Sequence, residues 1–346
     1  MKAVQFAEHG GTEVVEYGEF PDPEPAADEV LVDVKAGALN HLDVWTRRGL
    51  PGLDLEMPHI PGSDAAGEVV AVGEDVRRYE PGDRVAVSAG VSCGNCEYCR
   101  HGEPTMCVRF HIIGEHVRGV HSELAAVPED NLVPVPEGVE WTTAAAASLV
   151  FQTAWRMLVT RGELRPGETV LVLGASGGVG HAAVQIAKDA GATVYATGSS
   201  EEKLSLAREL GADEAFDYTD ENFAAKIREL TGKRGVDMVV DNVGAATWRD
   251  SLTSLAKGGR VVTCGATTGG TPETDINRIF WNQLSVIGST MGSPGETEDV
   301  LAKVWDGTYE VAIRDVLPMS EAARGHEMLE NREGFGKVVV VPDSEL

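Results

Sequence analysis

Residues 168–191 read ETVLVLGASGGVGHAAVQIAKDAG. The opening run, centred on VLVL, is continuously apolar and predicts a buried strand. Four glycines follow, Gly174, Gly177, Gly178 and Gly180. VGHAAVQIAKDAG then carries helical periodicity and stops at Gly191. A strand, a glycine-rich turn and a helix in that order suit a pyrophosphate. Only a backbone without side chains lets the phosphates approach, and the helix start offers unpaired N–H groups and a positive dipole end. The placement gives the glycine pattern its meaning, because a glycine run alone is weak.

The alternation continues downstream. ATVYATGSS predicts a strand, and EEKLSLARELG a helix closed by Gly211. VDMVVDNVG and GRVVTCGA predict two more strands with a helical stretch between them, and LSVIGST another. Strands and helices at this spacing make a doubly wound parallel sheet, so the fold class is α/β. The end of the second strand selects the nucleotide. A carboxylate there would bind the ribose of NAD. This chain has Gly198, Ser199 and Ser200, with Lys203 one turn on. Two hydroxyls and an ammonium suit a 2′-phosphate, which predicts NADP(H). Glu201 and Glu202 are assigned to the solvated first turn of the next helix.

Upstream, the composition is different. EVLVDVKAG, AGEVVAVG and DRVAVSAG alternate apolar and polar residues between turn signals, which predicts a compact β-rich domain. A proline-rich crossing, LVPVPEG, precedes a helical segment, WTTAAAASLVFQTAWRMLV. Near the end, KVVVV returns to β character and is expected to rejoin the first domain. The expected boundaries are 1–151 for the β-rich domain, 152–291 for the nucleotide domain and 292–346 for a segment completing the first.

Cysteine use is concentrated. Of five cysteines, Cys93, Cys96, Cys99 and Cys107 lie in CGNCEYCRHGEPTMC. Short spacers bring four thiolates around one tetrahedral ion at low entropic cost, and four thiolates leave no open coordination position. The lobe 93–107 is therefore expected to hold a structural zinc, with the chemistry placed elsewhere.

The chain has 55 acidic against 29 basic residues, a formal charge of −26, and only 9 lysines. Such a surface repels nucleic acid and anionic membrane, and its even spread suits a salty cytoplasm that screens self-repulsion. The first residues, MKAVQFAEHGGTEVVEY, contain no apolar core of a secretory signal. The expected partners are thus a small-molecule substrate, with no nucleic acid and no membrane, in a reducing cytoplasm.

These parts in this order resemble the medium-chain dehydrogenase/reductase superfamily of zinc-containing alcohol dehydrogenases and quinone oxidoreductases. The resemblance rests on the cysteine lobe, on PGSDAAGEVVAVGEDV with PGDRV, and on LVLGASGGVG. It implies a GroES-like catalytic domain joined to a Rossmann domain. It extends the cofactor-binding set to Thr153, Ser176, Val179, Asn242 and Gly265. Alcohol dehydrogenases of this family hold a second, catalytic zinc. At the matching places this chain has Asn40, Ser63 and about Leu149, with Asp64 after Ser63. The hydroxyl that starts the alcohol proton relay is replaced by Leu42. ALNHLDVWTRRG instead looks like the quinone oxidoreductase and enoyl-reductase branch, where Asn40 and Trp45 would line the nicotinamide pocket. His41 adjoins them as a candidate proton donor. His59, His111, His116 and His121 read as packing or surface histidines. The family also implies a homodimer or homotetramer, joined at the LSVIGST edge.

Together these readings predict an NADPH-dependent oxidoreductase that moves hydride to a quinone, enone or small carbonyl compound without catalytic zinc. Two alternatives stay open at this point. One is an alcohol dehydrogenase with an atypical metal site. The other is a nucleotide-binding redox sensor without catalysis.

Overall fold

In a computed structural model, which describes residues 1–220 and 222–345, the alternating runs of the β-rich region pair into one sheet. Its first strands are β1 (Glu29–Ala38), β2 (Asp64–Val72), β3 (Arg84–Val87), β4 (Leu124–Pro128) and β5 (Leu132–Pro134). Helix α1 (His41–Arg48) follows β1, and α2 (Trp141–Trp155) follows β5. The parallel series then runs β6 (Thr169–Val172), β7 (Thr193–Gly198), β8 (Glu214–Asp217), β9 (Val236–Asp241), β10 (Leu255–Thr263) and β11 (Ser285–Gly288). Among the helices between them are α3 (Gly178–Asp189), α4 (Glu201–Glu209) and α5 (Ile276–Asn282). The chain closes with β12 (Ile313–Pro318) and β13 (Lys337–Val341).

The chain divides into two units. The first comprises Met1–Leu149, Ser293–Glu333 and Lys337–Leu346, the second Val150–Gly292 and Gly334–Gly336. In the first, the sheet order is β12-β13-β1-β2-β3-β5, with β4 also paired to β1. β12 and β13 run parallel, whereas the other pairs are antiparallel. KVVVV thus becomes β13, seated directly beside β1. An alanine-lined core forms where Ala144, Ala145 and Ala146 of α2 meet Ala36, Ala38, Ala66 and Ala86. Small side chains let the helix backbone approach the sheet closely.

In the second unit the order is β8-β7-β6-β9-β10-β11, and every pair is parallel. Chain direction along the sheet reverses between β6 and β9. Ligands in such sheets sit beyond the strand ends at that reversal, which is where the glycine loop lies. Leu171, Val239, Val261 and Phe216 bury the face of this sheet with Ile227 and Leu252. Among the described residues, no helix is long and apolar enough to cross a membrane.

Candidate active site and cofactor loop

The glycine loop leaves β6 through Gly174, whose φ of +61° is costly for a residue with a side chain. Gly174 N–H donates to Thr197 Oγ1 at 3.2 Å, and Gly177 N–H donates to the Gly174 carbonyl at 2.9 Å. Gly177 is the N-cap of α3 and is exposed. A Cβ on Gly180 would lie 2.2 Å from the Gly174 carbonyl oxygen, so only glycine lets α3 start this close to the loop. The Ser176 carbonyl accepts from Gly336 N–H at 2.9 Å, and Val179 is half-buried in the first turn of α3. Across the sheet reversal, Asp241 ends β9 and accepts from Val243 N–H, Gly244 N–H and Ser251 Oγ–H at 2.9, 3.0 and 2.6 Å. Those bonds fix the turn that carries Asn242, whose Oδ1 lies 3.8 Å from where a Gly174 Cβ would be. The Gly265 carbonyl accepts from Thr263 Oγ1 at 3.2 Å. Thr153 has a buried hydroxyl with no hydrogen-bond partner among the described residues. An open glycine cradle, a helix start and an unspent buried hydroxyl fit a dinucleotide.

At the end of β7, Lys203 Nζ donates to Ser199 Oγ at 3.2 Å. Ser200 Oγ caps α4 by accepting from Lys203 N–H at 3.4 Å. Glu201 and Glu202 are exposed, and Glu201 pairs with Arg208 at 2.8 Å. Gly198 is closely covered, since a Cβ there would lie 2.9 Å from Leu204 Cδ2.

In the first unit, Cys93, Cys96, Cys99 and Cys107 place their sulfurs within 4.8 Å of one another. A tetrahedron of thiolates around zinc has edges of about 3.8 Å, so a small contraction closes the site. Hydrogen bonding from the Asn95 backbone and from Arg109 lowers the Cys93 thiol to about 5. Cys96 is also lowered, by backbone N–H groups of Cys99 and Val108. Burial raises Cys99. Cys107 Sγ accepts from Cys93 N–H and Arg109 N–H at 3.2 and 3.3 Å. Amides aimed at sulfur stabilise thiolates, the form a metal binds. The lobe fits a chelated metal ion. Among the described residues, no other group of three or more metal-ligating side chains converges in this way.

The places of the other metal look different. Asn40 is the N-cap of α1, and its N–H donates to Asp43 Oδ2 at 2.7 Å. Its side chain is spent inward. Oδ1 accepts from Lys337 Nζ at 2.5 Å, and Nδ2 donates to Asp64 Oδ2 at 2.8 Å and to the Ala38 carbonyl at 3.3 Å. Lys337 Nζ also lies 3.1 Å from Asp64 Oδ2. Asp64 Oδ1 accepts from Leu149 N–H at 2.9 Å. Ser63 turns away and donates to the Ile113 carbonyl at 2.7 Å. An amide bound to an ammonium, a hydroxyl turned to a loop and a leucine side chain do not fit a catalytic zinc. Sequence reading singled out Asn40 but missed Lys337. The signal available was a lone lysine opening an otherwise apolar strand, KVVVV.

Charge in this core is felt by its neighbours. Burial pushes Asp43 up to about 7, opposed by the Asn40 N–H and the Lys337 charge. Burial first and Lys337 second hold His121 down at about 4. Gly62, at φ +105°, packs on that ring, and a Cβ there would stand 2.4 Å from it. His41 sits edge-on to Trp45, with ring centroids 5.4 Å apart. Burial, then Arg332 and Arg48, lowers its pKa below the ordinary value. His59 bonds the Gly114 carbonyl and His111 the Arg109 carbonyl, while the His116 ring accepts from Ile112 N–H.

Comparison with known proteins adds to this geometry. Residues 178–306 match the family described as "Zinc-binding dehydrogenase", and residues 26–137 match the "Alcohol dehydrogenase GroES-like domain". A quinone oxidoreductase of Pseudomonas aeruginosa is 37% identical over 355 residues, covering 99% of both chains. An acryloyl-coenzyme A reductase of Metallosphaera sedula is 33% identical, covering 98% of this chain and 99% of its own. A solved structure described as an NAD-dependent alcohol dehydrogenase is 44% identical, with a TM-score of 0.94 and 99% of each chain covered.

Proposed function

As a member of the medium-chain dehydrogenase/reductase superfamily this chain is an NAD(P)-dependent oxidoreductase related to quinone- and enone-reducing enzymes, and we propose that it uses NADPH to reduce a quinone or an α,β-unsaturated carbonyl compound without a catalytic metal. The observation that carries the reading is the Asn40–Asp64–Lys337 triangle, which ties up Asn40 at one of the three ligand places, while Ser63 turns to the Ile113 carbonyl and the Leu149 side chain has no donor atom. Simple alcohol oxidation relies on a Lewis acid to hold an alkoxide. A conjugated acceptor spreads its charge onto an oxygen that hydrogen-bond donors can stabilise. When bound, the nicotinamide supplies the hydride. The glycine loop and Asn242 hold the dinucleotide. His41, its pKa lowered by burial and by Arg332 and Arg48, packs on Trp45.

The test follows NADPH oxidation against quinones, enones, aldehydes and ketones while a chelator is titrated and metal content is measured on the same sample. Turnover of quinones or enones should persist while the lobe keeps its metal. Activity that vanishes with the lobe still loaded, and returns with added divalent metal, would reveal a catalytic metal and sink the reading.

Three narrower readings go with it. The lobe metal is zinc, one per chain, which elemental analysis tests. NADPH is preferred because Ser199 and Lys203 converge where the 2′-phosphate would lie. The NAD-dependent relative makes NADH the rival. Loss of the preference in Lys203→Ala supports the reading, and tighter NADH binding by the unmodified chain overturns it. Gly198→Asp is the poorer probe, because its Cβ would first displace Leu204. Finally, the chain assembles as a homodimer or homotetramer in a reducing cytoplasm. Ile276, Phe280 and Trp281 of α5 stand 70%, 60% and 77% exposed, with Val286 also exposed on the edge strand β11. Light scattering in high salt should give a multiple of the 36.8 kDa chain mass, and Trp281→Glu should reduce it.

A further inference from the structure

Three neighbouring strands converge on one buried ammonium. β13 opens with Lys337, β2 opens with Asp64 opposite Ala38, and Asn40 follows β1. The register across β13-β1-β2 therefore brings residues 337, 40 and 64 together. Two N–H groups of Lys337 are spent at 2.5 Å on Asn40 Oδ1 and 3.1 Å on Asp64 Oδ2. An ammonium has three, so one remains for an acceptor. Exposure tells from which side it is reached. Asp43, Ser63 and Asp64 are 0% exposed, whereas Asn40 retains 6% and Lys337 3%. Of these five residues, Asn40 and Lys337 alone keep any exposed surface. Asp64 is held in turn by Leu149 N–H, so the charge is anchored from both sides.

We propose that Lys337 is a catalytic residue of this chain, its ammonium donating the third N–H to the substrate oxygen that gathers charge as hydride adds. It thereby takes over the electrostatic part of the metal that Asn40, Ser63 and Leu149 cannot hold. The proposal rests on the reading of the chain as a reductase of conjugated carbonyl compounds. In that reaction a C–H bond forms at the β carbon and the C=C pair moves to make an enolate. NADPH is left as NADP⁺, and the substrate gains two electrons. Lys337 keeps its proton throughout, and water later protonates the α carbon. A preorganised donor of this kind is effective because the site does not have to reorganise as charge appears.

The variants are Lys337→Met and Lys337→Arg, with Lys337→Met/Asp64→Asn to keep the core neutral should the single change fail to fold. The first readout does not depend on turnover. Crotonate, whose carboxylate imitates the enolate oxygen, is titrated into the NADPH-saturated chain, following nicotinamide fluorescence. Its affinity should fall roughly tenfold or more in both methionine variants and return in part with arginine, as befits a hydrogen bond to a charged group. NADPH affinity and the circular dichroism spectrum should stay unchanged. In parallel, kcat for an enone should fall roughly 10²-fold with a smaller change in KM. Crotonate binding the folded methionine variants as tightly as the unmodified chain would overturn the proposal and leave Lys337 a structural ion pair. So would an unmodified chain that does not bind crotonate. Lysine-dependent crotonate binding in a chain that reduces neither enones nor quinones would sink the proposed activity, while Lys337 would stand as the anion donor.

Discussion

Two places in the first unit are built for a cation, and they are closed in opposite ways. The cysteine lobe gathers four sulfurs with hydrogen bonds that favour thiolates, on a segment where Cys96, Cys99 and their neighbours are only partly covered. The core place gathers Asn40 and Asp64 around the chain's own Lys337, nearly sealed from solvent. An ion from solution can fold a loop that has little core of its own, because its binding energy becomes folding energy. A lysine cannot leave, and it brings a fixed charge with one donor to spare. A lobe loaded with metal would therefore answer to metal supply, whereas the core site answers to mutation.

The largest expected effect breaks the first half of that contrast. Cys96→Ser, or exhaustive chelation, should remove the metal and unfold the lobe. Structural zinc sites bind with about 10 kcal/mol or more of apparent free energy, so the loss should be obvious in thermal unfolding. Matching melting curves for the loaded and stripped chain would show that the four thiols close the lobe unaided.

Next comes the core. Lys337→Met leaves Asp64 buried beside Asp43 without a positive partner. Breaking a buried pair on one side costs about 3–5 kcal/mol, whereas replacing both charges together is often close to neutral. Urea unfolding should therefore place the single variant well below the unmodified chain and the Lys337→Met/Asp64→Asn pair near it. A double variant as unstable as the single one would mean that shape, not charge, holds the triangle.

Acid offers a third handle. His121 and His326 are buried and held at about 4 and about 3. Both stay neutral in the folded chain, while the unfolded chain takes up protons below about 6.5. Their contribution to stability is thus whole above about 6.5 and is lost as pH falls toward 4. Asp43, raised to about 7, runs the other way. It keeps its proton in the folded chain, so its contribution is present below about 4 and lost as pH rises through 7. Two histidines outweigh one carboxyl between pH 4 and 6.5. In high salt, unfolding free energy should drop on acidification by on the order of 3 kcal/mol in all, because each histidine loses about that much and Asp43 offsets one of them. His326→Leu should flatten that slope, and an unchanged slope would remove His326 from the account.

Much of this was legible in the sequence, for reasons that differ by region. The glycine loop was readable because strand, turn and helix are contiguous, and β6, Gly174–Gly177 and α3 follow one another within a few residues. The cysteine lobe was readable for the same reason. The return of KVVVV to the β-rich domain followed from its composition, but its neighbour did not. That Lys337 would meet Asn40 depends on β13 pairing with β1, residues almost three hundred positions apart in sequence. Local pattern carries no information on such a pairing. The same limit hid the direction of the Asn40 side chain, whose partners Asp64 and Lys337 come from two other strands.

The smallest expected effect tests whether the core site retains any metal character. Ser63 stands where the resemblance puts a zinc-binding histidine, yet its hydroxyl donates to the Ile113 carbonyl at 2.7 Å and it is 0% exposed. Ser63→Ala removes one neutral hydrogen bond and leaves one carbonyl to satisfy. The cost should be about 1 kcal/mol in unfolding free energy. Metal content should stay at the single ion of the lobe, and the NADPH oxidation rate should stay within about twofold, as for loss of an interaction worth under 1 kcal/mol in the transition state. A variant that loses a second metal ion, or whose turnover collapses while its stability holds, would place Ser63 in a working metal site. The contrast between a lobe closed by an ion and a core closed by a lysine would then fail at the core. If instead only the small stability change is seen, Ser63 belongs to the loop it binds, and the charge at this site comes from Lys337 alone.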